Sequence, residues 1–250
     1  LVDGEGVVIG VLTGRPNDPA WDGVAREAAQ LLTEARCRCG MDGQCHCHKQ
    51  GTYASVHTGI SYGRGQTHPM NLTNNPNVQH VVEGLLADER IHRVLNFANG
   101  VFKLYAPNLH DYYEATLQRL CESDTSLERN SAGSCFTAVT FNLGPQTATH
   151  PYLDHMNLPW GWCSVMAHGD FDHRRSGQVV LWNLKKVIEV PPGATIFIPS
   201  AVIEHSNLAL QPGEQHLFIM QYTAGALFRW VESGFCHLSD LSKDDQEEID

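Results

Sequence analysis

Basic residues are scarce in this chain of 250 residues, which has 17 Lys and Arg against 28 Asp and Glu and a net charge of −11. This scarcity weighs against a polyanionic partner, because nucleic-acid binding usually needs a basic surface. The chain also lacks an uninterrupted apolar run long enough to cross a bilayer, so we expect no membrane partner. No residue type dominates, and 42% of the residues are hydrophobic, which excludes collagen-like, coiled-coil and disordered classes.

The acidic charge is unevenly placed. Asp240–Asp250 contains six acidic residues and one lysine, and it predicts a solvated acidic tail over 240–250. The segment 131–239 has seven acidic and five basic residues, so the net charge disfavours a nucleic-acid partner without excluding one. The chain begins at Leu1 rather than at Met, which favours a piece of a longer protein. The basic residues that could form a small positive face are Arg174, Arg175, Lys185 and Lys186.

Hydrophobic periodicity changes from helical to strand-like after Asn130. Apolar residues recur at helical spacing over Trp21–Leu32 and Ile91–Tyr105, and Pro107 opens a further helix. The segment 37–77 has no clear period and is predicted to be irregular. Short β-type runs separated by turns follow Asn130. They cover Cys135–Asn142, Trp162–Ala167, Gln178–Asn183, Lys186–Val190, Thr195–Pro199 and Gln215–Tyr222.

This order of elements predicts an α+β fold. Closely spaced short strands after a helical segment are typical of a jelly roll or cupin-like barrel, a double-stranded β-helix, with an N-terminal helical jacket. We therefore expect a single domain over 1–239. Its first part, 1–130, is mainly helical and irregular, and 131–239 forms the double-stranded β-helix core.

Cysteine and histidine cluster in Cys37-Arg38-Cys39 and Cys45-His46-Cys47-His48. Thiolates and imidazoles at this density can bind Zn²⁺ or Cu(I). Both cysteine pairs have C-x-C spacing rather than the usual C-x2-C, so a Cys-rich surface loop, with or without disulfides, is favoured over a second metal site at Cys37, Cys39, Cys45 and Cys47. The other cysteines have apolar neighbours and are expected to pack as small hydrophobic side chains. They are Cys121, Cys135, Cys163 and Cys236.

A barrel of this kind can hold non-haem iron through two histidines and one carboxylate. Side chains two residues apart share a strand face, so a His-x-Asp pair on one strand and a distal His on a later strand would suit such a site. The chain has one His-x-Asp, His168-Gly169-Asp170, where a strand gives way to a turn. The favoured interpretation there is a turn in which Asp170 caps its own backbone.

A second candidate for the iron site is Asp154. Tyr152 and His150 lie on the same predicted strand face, and His155 lies on the other. His205 follows 51 positions after Asp154 and suits the distal position.

A series of short motifs runs through the chain outside the Cys-rich segment and the acidic tail. They are Gly14–Trp21, Gly59–Gln66, Phe141–Pro145, Asn157–Cys163, Gly169–Asp172, Pro191–Ile196, Pro199–Ala201, His205–Asn207 and Gln221–Val231. In this order they resemble the TET/JBP-type dioxygenases of mushroom-forming fungi, which are often associated with transposons. The resemblance implies a double-stranded β-helix, Fe(II), 2-oxoglutarate as cosubstrate, and oxidation of the methyl group of 5-methylcytosine or N6-methyladenine in DNA. It also implies an intracellular, nuclear location.

The resemblance implies roles for individual residues. Asp154 and His205 match metal ligands and catalytic positions, and Asn157 matches a hydrogen-bonding residue of the site. Arg174 and Arg175 are candidate contacts to the phosphates of a DNA substrate, although a solvated turn is the favoured interpretation of this pair.

Two positions depart from the family pattern. Tyr152 stands where the family has the first His, and a phenolate ligand favours Fe(III) over Fe(II), so His150 or His155 would have to take its place in an Fe(II) site. His216 stands where the family has the Arg that pairs with 2-oxoglutarate. A neutral imidazole cannot replace that fixed charge, so the cosubstrate should bind weakly or need protonated His216, mainly below about pH 6.5. Arg229 is a candidate substitute.

Three hypotheses about function follow. The first is a working dioxygenase with a remodelled site. The second is a degenerate family member that binds metal or a partner without 2-oxoglutarate turnover. The third is a metalloenzyme that acts on a small molecule through a rebuilt site of Tyr152, Asp154 and His205, which His216 joins.

Overall fold

The computed structural model describes residues 1–43, 47–63, 65–237 and 240. The helices found in these residues are α1 (Trp21–Arg38), α2 (Pro76–Leu86), α3 (Glu89–Tyr105), α4 (Pro107–Ser123) and α5 (Gly225–Glu232). The strands are β1 (Val11–Gly14), β2 (Cys47–His48), β3 (Gly51–Thr52), β4 (Ala54–Ser61), β5 (Met70–Asn71), β6 (Ala138–Gly144), β7 (Cys163–Asp170), β8 (Val179–Leu181), β9 (Lys186–Ile188), β10 (Thr195–Ile198), β11 (His205–Asn207) and β12 (Gln215–Tyr222).

Two antiparallel sheets form the body of the protein. The larger sheet has the strand order β1-β10-β7-β12-β6-β4-β5, and the smaller has the order β11-β8-β9. Each hydrogen-bonded pair of strands in them is antiparallel, and the register of β1 against β10 shifts between Leu12 and Gly14. This is a double-stranded β-helix with helices packed against its larger sheet, as the sequence predicted.

Side-chain alternation along the strands builds two layers of core. On β7, Val165 packs into the cluster between the two sheets, and the next residue, Met166, packs into the cluster under the helices. This is expected because successive side chains of a strand point to opposite faces. The larger sheet therefore has apolar residues on both faces and cannot leave one face to solvent. None of the helices in the described part of the chain has the length and apolar character needed to span a bilayer.

The helical jacket contains one helix more than the apolar spacing before Asn130 indicated. The helix opened by Pro107 is confirmed as α4, and Pro76 opens α2 in the same way. The Asn75 side chain accepts a hydrogen bond from the backbone N–H of Val78 at 3.0 Å and caps α2. An Asn-Pro pair before apolar residues at helical spacing is a start signal for a helix, so α2 could have been recognised from the sequence.

The expectation of irregular structure over 37–77 was wrong for residues 54–61. These residues form β4, which pairs with β6 inside the larger sheet. The segment is rich in polar residues, but Val56, Thr58 and Ile60 alternate as buried side chains. Thr58 is accommodated because its hydroxyl donates to the Asn130 side chain at 3.2 Å. The predicted acidic tail over 240–250 lies outside the described residues apart from Asp240.

Gly59 occupies a position in β4, opposite Ala138 of β6, that has no room for a side chain. Its φ is +106°, and a Cβ atom there would lie 2.1 Å from the carbonyl oxygen of Thr137. We predict that Gly59→Ala lowers the free energy of unfolding by about 3 kcal/mol, measured by urea denaturation, because the overlap and the positive φ both oppose alanine. Gly84→Ala in α2 is the control. Nothing lies within 4 Å of its Cβ position, so alanine there should stabilise by about 0.5–1 kcal/mol. Equal effects of the two substitutions would contradict this role of Gly59.

Candidate metal centre

A backbone bridge brings the two predicted ligand segments together. Tyr152 lies between β6 and β7, and it pairs with His205, the first residue of β11. Each residue donates its N–H to the carbonyl oxygen of the other at 3.0 Å. The N–H of Asp154 then donates to Ser200 O at 2.9 Å, and a turn to Asn157 follows. Residues 152–154 therefore run alongside the edge of the smaller sheet.

His205 has the geometry of a metal ligand. Its ring Nδ1 lies 2.8 Å from the carbonyl oxygen of Ile203. A carbonyl only accepts, so Nδ1 carries the proton, and Nε2 is left with a free lone pair. That Nε2 is buried and has no hydrogen-bond partner among the described residues. Ligand histidines are commonly oriented in this way by a carbonyl on the other nitrogen.

Asp154 faces this free nitrogen. Its Oδ2 lies 3.9 Å from Nε2 of His205, and its side chain is 20% exposed against 7% for His205. Burial raises the pKa of the Asp154 carboxyl, and the His205 imidazole and the Ser200 hydroxyl offset only part of this effect. A carboxylate this close to an unpartnered imidazole nitrogen can take a cation between them.

Tyr152 completes the group. Its ring centroid lies 4.3 Å from that of His205, with 54° between the ring planes. Burial raises the pKa of the Tyr152 phenol well above its usual value, and the charge of Asp154 raises it further. The phenol is therefore protonated at neutral pH in the metal-free protein. It would bind a metal as a phenolate only by releasing that proton.

Some neighbours of Asp154 were not assigned from the sequence. Gln50 Nε2 lies 3.4 Å from Asp154 Oδ1, and the buried Tyr53 has its pKa raised by burial and then by the Asp154 charge. Burial, followed by the same charge, raises the pKa of the Cys163 thiol to about 12. Gln50 is 104 residues from Asp154 in the chain, so no local pattern could have indicated the contact.

The substitutes considered for the missing histidine, His150 and His155, are both exposed. His155 is nevertheless close enough to Asp154 to offset part of the rise that burial causes in the pKa of that carboxyl. In the part of the chain that the structure describes, no three His, Cys, Asp or Glu side chains are placed to hold a metal ion together. Of the alternatives considered from the sequence, Tyr152 is the one whose ring packs against His205.

The sequence pair His168-Gly169-Asp170 is not a metal site. His168 is fully buried with Nδ1 3.3 Å from Ala25 O of α1, whereas Asp170 is exposed. Burial lowers the pKa of His168 to about 4, and the nearby His216 adds to this. The two side chains do not converge. Gly169 and Asp170 are the last residues of β7 rather than part of a turn, and the carboxylate that accepts a backbone N–H just beyond the strand is Asp172, from Arg174 at 3.1 Å.

His216 lies in an apolar cage rather than in an anion site. It is fully buried, and the rings of Phe171 and Phe218 approach it edge-on at 4.4 Å each. Its Nδ1 lies 3.0 Å from Thr147 O, and a Cβ on Gly177 would lie 3.2 Å from Nε2. Burial lowers the pKa of His216 to about 4. The prediction that protonation below about pH 6.5 could supply a cation here was therefore wrong, because the cage desolvates the charged form.

Other predicted site residues lie apart from His216. Arg229 is exposed on α5, where its charge partly offsets the rise that burial causes in the pKa of the Tyr62 phenol. Asn157 directs its side-chain N–H to Ser200 Oγ at 3.1 Å and so orients the loop that carries Asp154. Its role toward a bound ligand stays a prediction.

The predicted basic residues flank strand β8 at its two ends. Arg174 and Arg175 are exposed just before β8 begins, whereas Lys185 and Lys186 follow its end. His205 pairs with Leu181, the last residue of β8, so the lysines are at the end of the strand nearer the candidate metal centre. A role of Arg174 and Arg175 in contacting phosphates stays a prediction.

The candidate second metal site lies largely outside the described residues. Cys37 and Cys39 are free cysteines at the end of α1. Cys45 and the side chain of Cys47 lie outside the described part of the chain. Cys135 and Cys163 are buried, as predicted, and Cys121 and Cys236 are half-buried.

Comparison with known proteins supports the fold. No family model and no curated protein matches the sequence. The structure is similar to that of NgTET1 in complex with 5mC DNA, with a TM-score of 0.62 at 13% identity, over 89% of this chain and 74% of that one. The two structures share the double-stranded β-helix fold.

Two further solved structures overlap less well. One is an oxidoreductase of the 2OG-Fe(II) oxygenase family from Burkholderia pseudomallei, with 16% identity, a TM-score of 0.44, and coverage of 86% of this chain and 85% of that one. The other is a Pseudomonas putida prolyl-4-hydroxylase, with 11% identity, a TM-score of 0.41, and coverage of 86% and 92%. Both superpositions are too loose to bear on the site.

The sequence resemblance implies two bound groups, iron and 2-oxoglutarate, and the residues present fit only the first. Iron fits, because His205 presents a buried, unpartnered nitrogen to a carboxylate oxygen 3.9 Å away. 2-Oxoglutarate does not fit at His216. An uncharged imidazole between two phenyl rings would face a carboxylate without neutralising it, and burying an unpaired charge is costly.

The buried histidines make stability depend on pH. His168 and His216 take up a proton near pH 6.5 when unfolded but only near pH 4 in the fold. The unfolded state therefore binds more protons in this window. We predict that the free energy of unfolding falls as the pH is lowered from 6.5 to 4, by at most about 3 kcal/mol per histidine. Urea denaturation at pH 7 and pH 5 measures the fall.

His216→Gln keeps a donor for Thr147 O and removes the titrating group, so the fall should be smaller in this variant. His80→Gln is the control, because His80 is exposed on α2 and should leave the fall unchanged. If the free energy of unfolding of His216→Gln depended on pH as that of the original protein does, His216 would not be a source of the pH dependence.

Proposed function

We propose that this chain is a non-haem iron protein of the TET/JBP-like kind, with iron held by Asp154 and His205. The observation that supports this most is the free Nε2 of His205, fixed by the Ile203 carbonyl and facing the Asp154 carboxylate. Iron bound there would supply Lewis-acid and redox chemistry. The protein's part is to hold the two ligands: the backbone bridge between Tyr152 and His205 fixes their separation.

The ligand that we propose is DNA carrying a methylated base, 5-methylcytosine or N6-methyladenine. Oxidation of the base methyl group is the activity that the sequence resemblance implies, and a nuclear location would go with it. Support comes from the motifs and from the similarity to a TET structure that holds 5mC DNA. A base in a duplex has to leave the stack to reach a buried centre.

The loops that carry the two ligands also carry exposed apolar side chains. Trp160 is 65% exposed, and Met156 and Val202 are also exposed. Exposed aromatic side chains offer a surface on which an unstacked base can stack. This surface supports DNA as ligand despite the overall charge of −11.

A second candidate function is binding of metal and DNA without turnover of 2-oxoglutarate. The neutral, enclosed His216 favours it, because the reaction of the family needs an anchor for the cosubstrate. The exposed Arg229 on α5 gives no evident substitute. Consumption of 2-oxoglutarate with oxidation of 5mC DNA by the iron-loaded protein would exclude this second candidate.

The iron site can be tested by replacing its ligands one at a time. We predict that the original protein binds one Fe(II) per chain under anaerobic conditions. Asp154→Ala and His205→Ala should each weaken binding by at least about tenfold, as judged by equilibrium dialysis and metal analysis. Asp170→Ala, at an exposed carboxylate, is the matched control and should bind as the original protein does. Unchanged binding in both ligand variants would refute the proposed site.

DNA binding can be tested at Trp160. We predict that Trp160→Ala weakens binding of a single-stranded oligonucleotide that contains 5-methylcytosine by about 1–3 kcal/mol, measured by fluorescence anisotropy, because one stacking contact is lost. Tyr105→Ala is the control, since Tyr105 is 52% exposed but lies at the end of α3. Equal loss in both variants, or none in either, would argue against a stacking surface near the candidate metal centre.

A further inference from the structure

The donor atoms at the candidate metal centre differ in kind from those of a ferrous oxygenase site. Asp154 and Tyr152 offer oxygens, and His205 offers the single imidazole nitrogen. Ferrous oxygenases use two imidazoles and one carboxylate. We propose that this centre is a ferric site in which the Tyr152 phenolate is a ligand beside Asp154 and His205. The inference rests on the proposed iron site and specifies its oxidation state.

The fold places the Tyr152 ring beside the other two donor residues. The bridge to His205 sets the two rings side by side, 4.3 Å apart. Asp154 is two residues further along the same extended segment, and in a strand such residues share a face. The phenol is also close enough to interact electrostatically with Asp154 and with Cys163, a residue of the core between the sheets.

The charge of the ligand set selects the oxidation state. Two neutral imidazoles and one carboxylate leave a net charge of +1 around Fe(II). A neutral imidazole, a carboxylate and a phenolate leave the same +1 around Fe(III). A buried centre disfavours additional uncompensated charge. The ligand set that includes the Tyr152 phenolate therefore matches Fe(III), and a ligand set of two histidines and one carboxylate matches Fe(II).

The binding step needs no oxidant or reductant. Iron enters as Fe(III), the O–H bond of the Tyr152 phenol breaks, an Fe–O bond forms, and the proton passes to solvent. No electron is transferred.

A ferric centre agrees with the other departure from the family pattern, which is His216 in place of the Arg that pairs with 2-oxoglutarate. A site that retains Fe(III) has no ferrous ion to react with O₂, and the enclosed His216 provides no charged anchor for 2-oxoglutarate. The two positions are 64 residues apart, yet both changes disfavour the same reaction. The ferric proposal therefore strengthens the candidate function without turnover.

The test is the visible spectrum of the full chain loaded with Fe(III) citrate. We expect a phenolate-to-iron charge-transfer band and tyrosinate vibrations in the resonance Raman spectrum. Tyr152→Phe, which keeps the ring against His205, should lose both signals. Tyr113→Phe is the matched control, because it removes a buried phenol in the helical core and should keep the band. Circular dichroism checks that each variant is folded.

Two further variants sharpen the assignment. Tyr53 is a second buried phenol near Asp154, and Tyr53→Phe should retain the band. Tyr152→His restores a second imidazole, so it should lose the band and reverse the ratio of Fe(III) to Fe(II) affinity in favour of Fe(II).

The failures of the two proposals can be told apart. Iron bound through Asp154 and His205 without a visible band would overturn the ferric site but leave the iron site standing. A band that persists in Tyr152→Phe, or one that disappears in Tyr53→Phe alone, would overturn the assignment to Tyr152. Absence of iron binding in either oxidation state would overturn both proposals.

Discussion

The candidate metal centre depends on two backbone hydrogen bonds between Tyr152 and His205, each 3.0 Å long. They attach a segment without helix or regular strand to the edge of the smaller sheet. Because the bridge fixes the backbone, it also fixes which side chains face inward: the Tyr152 ring, the Asp154 carboxylate and the His205 imidazole. The Ile203 carbonyl then sets the tautomer of His205. These hydrogen bonds are made by main-chain atoms, so a substitution at Tyr152 or His205 changes the donor atoms of the centre without removing the hydrogen bonds.

The main-chain bridge explains how a tyrosine can occupy a ligand position without loss of the fold. The Tyr152 ring packs against His205, and its burial needs only that the hydroxyl remain neutral or meet a cation. His216 is accommodated in a similar way, by two phenyl rings and the Thr147 carbonyl. Both substitutions are therefore compatible with a well-packed barrel, although they alter the chemistry that the barrel can support.

The sequence predicted the fold well where apolar periodicity or turn chemistry is strong. The runs that became β7, β10 and β12 alternate or are fully apolar, and proline marks the start of α4. The sequence did not predict β4 and β11. These strands contain Thr, Ser, His and Asn, which are buried through contacts with partners far along the chain.

Prediction of the site from the sequence has the same limit. Asp154 and His205 could be found from spacing and resemblance, but Gln50 and Tyr53 lie about a hundred positions away. Of the two rings that enclose His216, only Phe218 is close to it in the sequence. The burial that lowers the pKa of His216 is therefore seen only in the three-dimensional structure.

The outer strands of the larger sheet affect the tendency of this protein to aggregate at high concentration. An unpaired sheet edge is a template for adding strands from another chain, and proteins limit this hazard with short or distorted edges. Here one edge is the two-residue β5, and the other is β1, whose register breaks between Leu12 and Gly14. Both edge strands are short, and beyond the two residues that pair with β5 the outer side of β4 is engaged by other groups: the N–H of Leu72 donates to Gly59 O at 2.7 Å and the Asn74 side chain donates to His57 O at 3.0 Å. The larger sheet, apolar on both faces, is thus shielded from edge-to-edge aggregation by strand geometry as well as by the helices that cover it.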